Sequence, residues 1–361
     1  MDHSHYMKLA LSMAKSTHGQ TSPNPMVGAV VVNNGEIVGM GAHLKAGEGH
    51  AEVLAIKAAG EKARGSDVYV TLEPCSHHGK TPPCSELLIS SDVKTVHVAT
   101  MDPNPHVSGR GIQQLRDAGI DVVVGELEEE ACELNKHFFH YIQNGTPFVT
   151  LKTAVTLDGK TASVSGDSKW ITSEESRTEV HYDRHRHDAI LVGVNTVIQD
   201  NPHLTTRLPQ GGKNPIRIIL DTHLRTPLHS HVVEDSQSAT VIFTGNSVNE
   251  EQRQPFLEKG CEVVTLSDEE IDIHSVLKEL GARHIGSLYV EGGSTIHATF
   301  LKEKAFQELI MYMSPKLIGG SSAYTSFGGD GFPTIAEGLE MEILSLERVG
   351  KDIKIVAVPT I

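Results

Sequence analysis

A histidine, a carboxylate and two thiols stand in an order that suits a metal-activated nucleophile: His50 and Glu52 within HAE, Cys75 behind Pro74, and Cys84 further along. A zinc ion with three protein ligands keeps its fourth position for water, and that water ionises near neutral pH. His50, Cys75 and Cys84 as ligands would hold a hydroxide ready to attack an electron-poor carbon. Glu52 lies two residues after the histidine. On the first turn of a helix facing the metal it would sit beside that hydroxide as proton carrier. The alternative is a closed structural site, which needs a fourth protein ligand that His77 or His78 can supply.

The flanking segments predict how these groups are delivered. SDVYVT, Ser66 to Thr71, alternates like a strand and runs straight into LEPC, leaving a thiol at the strand's end. Cys84 opens SELLISS, a predicted helix whose N-terminal dipole favours a thiolate. HAEVLAIKAAG has the apolar spacing and terminal glycine of a helix. The order of ligands resembles that of zinc-dependent nucleobase deaminases. One departure stands out, since eight residues, SHHGKTPP, separate the thiols where two are usual.

Composition narrows the field. A chain of 361 residues exceeds one ordinary core, so two domains are expected. A formal charge of −15 argues against a nucleic-acid partner, because neutralising phosphates takes a surplus of lysine and arginine. Of the four cysteines, Cys132 and Cys261 fall outside the metal signature and read as core or incidental thiols, with no disulfide framework implied. The opening MDHSHYMKLALSMAKS lacks a basic stretch and a small-residue cleavage site, and no apolar run is long enough to span a bilayer. A reducing, cytoplasmic setting without membrane partners is the expectation.

Residues 1–145 read as an α/β sheet with covering helices. An amphipathic helix is followed by VGAVVV and EIVGMGAH, a hairpin about Asn33, Asn34 and Gly35, and then strands alternate with helices through DVVVGEL. One charged helix is predicted from about Glu128 to Gln143, with the domain boundary at Thr146 and Pro147. Residues 146–361 carry FVTLKTAVTLDGKTA, DAILVGV, PIRIILD, ATVIFTG, CEVVTL, SLYVEGG, ELIMYMSP and DIKIVAVP, which predict a mainly parallel sheet closed by antiparallel strands near the C-terminus. No G-x-G-x-x-G joins a strand to a helix there, which disfavours the usual dinucleotide fold. In SLYVEGGSTIHATFL, however, Gly292, Gly293 and Ser294 lead from a strand into a helix whose free N–H groups can grip a phosphate. A plain strand-to-helix turn is the alternative.

Taken together, TSPNPMVG, His43, HAE and LEPCSHHGKTPPC resemble the deaminase half of the bifunctional riboflavin-biosynthesis deaminase/reductase family. LKTAVTLDGKTA, SKWIT, GVNTVIQDNPHLTTR and VEGGS resemble its reductase half. The resemblance spans nearly the whole chain. It implies a cytidine-deaminase-like α/β/α domain over residues 1–145 and a dihydrofolate-reductase-like α/β domain over 146–361, with homo-oligomers, dimer or tetramer, formed through the latter. It also implies two successive reactions on a small phosphoribosylaminopyrimidine. Zn2+ would serve hydrolytic loss of the 2-amino group, and NADPH would then reduce the ribosyl to a ribityl chain.

The resemblance carries site residues with it. Glu52 would move protons in the deamination, and the long insertion would supply His77 and Lys80 to the phosphorylated sugar; both can equally be solvated loop residues. Asn24 and His43 would close the ring pocket, and Asp102 and Asn104 would contact substrate, although PNP and DPNP are also good turn chemistry. In the reductase half Lys152 would orient substrate or aid protonation, unless it is a solvent-facing strand lysine. Ser168, Arg184, Leu204, Arg207 and Glu291 match substrate positions, the arginines suiting a phosphate grip. Arg184 also looks like part of an exposed charged helix, and Glu291 like a strand end capping the next helix. Ala154, Trp170, Thr196, Asp200, Thr222, Gly293 and Ser294 match NADPH positions, while Trp170, the lone tryptophan, otherwise reads as core.

Two other readings stay open: a nucleoside or tRNA editor with an unrelated tail, against which acidity and the thiol spacing count, and a zinc-stabilised nucleotide-binding module without turnover.

Overall fold

The computed structural model describes residues 3–76, 82–104 and 108–360. The chain divides into two compact units, Met1–Gly145 and Thr146–Ile361.

The first unit runs α1 (His3–Lys15), β1 (Gly28–Asn33), β2 (Glu36–Ala42), α2 (Ala51–Ala59), β3 (Asp67–Val70), α3 (Cys84–Ser90), β4 (Thr95–Val98), α4 (Arg110–Asp117), β5 (Asp121–Val124), α5 (Glu128–Leu134) and α6 (Lys136–Asn144). Its five strands lie in the order β2-β1-β3-β4-β5. The β1–β2 and β1–β3 pairs are antiparallel, and β3, β4 and β5 run parallel. Strand alternation makes two cores. Ala29, Val31, Val68 and Val70 pack with α2 on one face, whereas Val30, Val32 and Tyr69 pack with Met7 and Ala10 of α1 on the other. The sheet is thus covered on both sides, an α/β/α sandwich.

α2 comes unusually close to β2. A Cβ on Gly39 would lie 2.2 Å from the carbonyl oxygen of Ala55, and one on Gly41 would lie 2.4 Å from that of Ala51. Small residues on both sides let the helix press its backbone onto the strand, and this fixes where its first turn, bearing His50 and Glu52, projects.

Two expectations need correction here. The charged helix over 128–143 is two helices, broken at Asn135. The Asn135 side chain accepts from Met26 N–H at 2.8 Å and donates to the Met26 carbonyl at 3.0 Å. A buried carboxamide that mimics a strand partner is held in place at the cost of helix continuity. The strand before Cys75 is also shorter, ending at Val70, so the thiol sits on irregular chain beyond it.

The second unit runs β6 (Phe148–Thr156), α7 (Glu174–Arg186), β7 (Ala189–Gly193), α8 (Val194–Asp200), β8 (Ile216–Leu220), α9 (His231–Glu234), β9 (Thr240–Thr244), α10 (Glu250–Glu258), β10 (Glu262–Thr265), α11 (Ile273–Ala282), β11 (Ser287–Val290), α12 (Ser294–Lys302), β12 (Glu308–Ser314), β13 (Met341–Val349) and β14 (Asp352–Pro359). The nine strands are ordered β10-β9-β8-β7-β11-β6-β12-β14-β13, parallel from β10 to β12 and antiparallel for the last two. β13 is a strand the sequence pattern did not predict. It is an edge strand with Ile343, Leu344 and Leu346 all largely exposed, so it lacks the alternation of a half-buried strand. Leu191, Ile218 and Val290 face the core beneath α11 and α12, and Ile190, Ile219 and Tyr289 face the opposite core. Among the described residues no helix is long and apolar enough to cross a membrane.

Candidate functional site

In the first unit the ligand atoms of His50, Cys75 and Cys84 converge within 4.8 Å of one another. His50 precedes α2 as its N-cap residue, and Cys84 is the first residue of α3. His50 Nδ1 lies 3.2 Å from Cys84 Sγ and 3.6 Å from Cys75 Sγ. A tetrahedral zinc with ordinary Zn–N and Zn–S lengths would separate such atoms by about 3.6 Å. The donor set and its spacing therefore fit Zn2+. Among the described residues no fourth histidine, cysteine or acid joins the group. His77, His78 and Lys80 lie outside the described residues.

Electrostatics support the same fit. A hydrogen bond from the Cys84 thiol holds Cys75 well below the usual thiol range, and the same bond, with burial, pushes Cys84 up. Without a metal ion the two sulfurs share one proton, which stays on Cys84 beside the Cys75 thiolate. A cation between the two sulfurs would displace that proton and leave both as thiolates. Hydrogen bonding to Cys75 raises His50. Glu52 is buried, hydrogen-bonded to Cys84, and pushed up by its burial.

Asn24 and His43 meet: Asn24 Nδ2 lies 3.1 Å from His43 Nε2, and the His43 ring stands edge-on to His50 with centroids 5.6 Å apart. The pair belongs to the wall of the metal cluster. Asp102 Oδ1 accepts from Asn104 N–H at 2.8 Å, a turn of the kind DPNP favours.

In the second unit the carriers are the C-terminal ends of parallel strands and the turns after them. Lys152 Nζ on β6 is 3.8 Å from Glu291, and its side chain is only 15 % exposed, so it is not a solvent-facing strand lysine. Arg184 of α7 is buried as well, which excludes the exposed-helix reading. Its Nε and Nη2 donate to Glu291 at 2.6 and 3.0 Å, and Nη1 donates to the Thr205 carbonyl at 3.0 Å. Arg184 is therefore a poor phosphate grip; Arg207, exposed, keeps that capacity. The Leu204 side chain is buried in the core and its φ is 51°, leaving backbone as the part it can offer a ligand. Ala154 follows Lys152 on the same face of β6.

Thr196, Thr222 and Gly293 line one cavity of about 360 Å³, between the ends of β7, β8 and β11. Gly293 is the N-cap of α12, which begins at Ser294. Asp200 is exposed one helical turn beyond Thr196 on α8. Ser168 and Trp170 sit between β6 and α7. Trp170 is 61 % exposed, with the Arg177 guanidinium 4.5 Å above its ring, so it is not a core residue.

Comparison with known proteins agrees with this geometry. Residues 1–100 match the cytidine and deoxycytidylate deaminase zinc-binding region, and residues 147–355 match the RibD C-terminal domain. Riboflavin biosynthesis protein RibD of Bacillus amyloliquefaciens is 49 % identical, over 98 % of this chain and 96 % of its own. The chain belongs to the RibD family. RibD of Escherichia coli K12 is 40 % identical over 98 % of both chains. The Acinetobacter baumannii RibD structure, form 1, superposes with a TM-score of 0.91 at 37 % identity, covering 99 % of each chain. A Thermotoga maritima structure described as a diaminohydroxyphosphoribosylaminopyrimidine deaminase/5-amino-6-(5-phosphoribosylamino)uracil reductase gives 0.90 at 39 %, covering 99 % of this chain and 98 % of that one. The chain is accordingly a bifunctional deaminase and reductase of riboflavin biosynthesis, with a zinc-binding, cytidine-deaminase-like first unit.

Two residues that the sequence did not single out bond to the candidate site segments. His181 accepts from Arg207 N–H at 3.3 Å and is pulled down to about 4 by burial and then by Arg184 and Arg207. Its position three residues before Arg184, on one helix face, is the signal that could have found it. Glu73 bonds across to the chain after β4, and nothing local announces it.

Proposed function

We propose that residues 1–145 are the zinc-dependent pyrimidine deaminase domain and residues 146–361 the NADPH-dependent reductase domain. The substrate is 2,5-diamino-6-(5-phosphoribosylamino)pyrimidin-4-one, deaminated to 5-amino-6-(5-phosphoribosylamino)uracil, whose ribosyl group is then reduced to ribityl. The observation that carries the reading is the convergence of His50, Cys75 and Cys84 beside the buried carboxyl of Glu52.

His50, Cys75 and Cys84 hold the zinc. Bound there, zinc supplies a water acidic enough to be the nucleophile near neutral pH. Glu52 carries one proton of that water to the ring nitrogen, where it stays, and then the second, from the hydroxyl left on the ring carbon, to the departing amine, so one water is consumed, ammonia leaves and an oxo group replaces the amine. Asn24 and His43 hold the ring edge. Asp102 and Asn104 contact the substrate from the loop after β4, and His77 and Lys80 serve its phosphoribosyl group.

Thr196, Thr222, Gly293 and Ser294 of the second unit would hold NADPH, which would supply the hydride for C1′ of the ribosylamine. Lys152, steadied by Glu291, orients the sugar and aids protonation, with Ser168 and the Leu204 backbone beside it. Arg207 meets the phosphate, and Arg184 holds Glu291 in place. Thr196, Thr222, Gly293 and Ser294 bind the cofactor along the cavity, joined by Ala154, Trp170 and Asp200. The chain works in the cytoplasm as a homo-oligomer through this unit; the exposed apolar edge strand β13 supports that assembly.

Incubation with the phosphoribosylamino pyrimidine and each nicotinamide cofactor, following ammonia and cofactor absorbance separately, tests the whole. Ammonia release independent of cofactor, followed by NADPH oxidation, is expected. Ammonia release that requires cofactor, or no release, rejects the assignment.

A further inference from the structure

α4 starts without a cap of its own. Its N-cap is Gly109, no side chain of its own segment bonds the helix start, and no acid occupies its first turn. The unpaired N–H groups of a helix start must find acceptors elsewhere. They find Glu73, thirty-six or more positions earlier in the chain. Glu73 Oε1 accepts from Gly111 N–H at 3.0 Å and Ile112 N–H at 3.4 Å, and Oε2 accepts from Gly109 N–H at 2.9 Å and Asp102 N–H at 3.3 Å. One buried carboxylate therefore ties both ends of the loop that leaves β4 and enters α4.

Glu73 stands two residues before Cys75. The join is tight, because a Cβ on Gly111 would lie 2.0 Å from the Pro74 carbonyl oxygen. A second tie runs parallel to it: Ser85 Oγ lies 2.6 Å from the Gln114 side chain of α4 and 3.1 Å from the Cys75 carbonyl oxygen, within hydrogen-bond reach of both. The chain that carries a metal ligand and the loop that carries Asp102 and Asn104 are thus tied together at two points.

We propose that Glu73 is a positioning residue of the deaminase, setting the distance between Asp102 and Asn104 and the metal centre. This rests on the reading above that Asp102 and Asn104 contact substrate. Glu73→Gln in the full chain is the test: the amide keeps one acceptor oxygen and turns two donors toward N–H groups that need acceptors. KM for ammonia release should rise about tenfold or more while kcat falls by less than about threefold, with zinc content and NADPH oxidation unchanged. Amide exchange at Gly109, Gly111 and Ile112 should accelerate, a readout that needs no turnover. Gly111→Ala, which forces α4 off Pro74 by a different route, should reproduce the KM effect and serves should Glu73→Gln fail to fold. Faster exchange with an unchanged KM overturns the proposal, as does a fall in kcat that tracks loss of zinc. Failure of the substrate assignment itself is recognised separately, by absence of ammonia release from the unsubstituted chain.

Discussion

Arg184 and Glu291 meet fork to fork, Nε at 2.6 Å and Nη2 at 3.0 Å from the two carboxylate oxygens, with both side chains about 10 % exposed. Burial works against the Glu291 charge, yet Arg184 and then Lys152 outweigh it and hold the carboxyl at about 2. The pair is the anchor on which Lys152 leans. Arg184→Ala would leave a buried carboxylate without its partner, so the second unit should lose about 3–5 kcal/mol, read from its urea midpoint. The sign with pH follows from the depressed value. The stabilisation is complete above the ordinary carboxyl range and is lost as pH falls from about 4.5 toward 2. An Arg184→Ala protein whose stability matches the parent at pH 7 would remove the pair from the account.

Glu52→Gln should keep stoichiometric zinc and lose ammonia release by about 10²–10⁴-fold, the usual worth of a positioned proton carrier. Metal analysis beside an ammonia assay separates the two effects. Retained turnover would eliminate the role assigned to Glu52, and loss of zinc would show that it supports the ligands instead. NADPH oxidation with pre-deaminated substrate should be unaffected.

Lys152→Ala should depress NADPH oxidation by roughly ten- to a hundredfold, in line with loss of one group that orients or protonates substrate. Ammonia release should stay at its parental rate. Its only ion pair, among the described residues, is with Glu291, so the substitution leaves Arg184 and Glu291 joined and should cost little stability. Simultaneous loss of both activities would point to misfolding.

The sequence displayed chemistry better than it displayed support. His50, Glu52, Cys75 and Cys84 were legible because metal ligation and proton transfer admit few residue types, and the alternating strands were legible because β-branched runs have few other uses. The failures share a cause. Asn135 breaks a helix through bonds to Met26, Glu73 caps a helix far along the chain, and Arg184 is committed to a partner 107 positions away. Each depends on which segments the fold brings together, and no local pattern encodes that. β13 escaped for the opposite reason, since an edge strand exposed on both faces has no periodicity to read.

Trp170 supplies the last test, because it is the single tryptophan of the chain and 61 % exposed. Its ring is covered by Arg177 at 4.5 Å, which keeps one face of the indole occupied and in place. A nicotinamide cofactor arriving at this segment would stack on or shield the other face, so titration with NADPH should quench the tryptophan emission with a saturable isotherm. Because no other tryptophan contributes, the amplitude reports this position alone. Trp170→Phe should abolish the signal and weaken NADPH affinity by about three- to tenfold, measured by calorimetry. An emission spectrum indifferent to saturating NADPH would place the cofactor elsewhere and return Trp170 to the role of a surface residue stacked on Arg177.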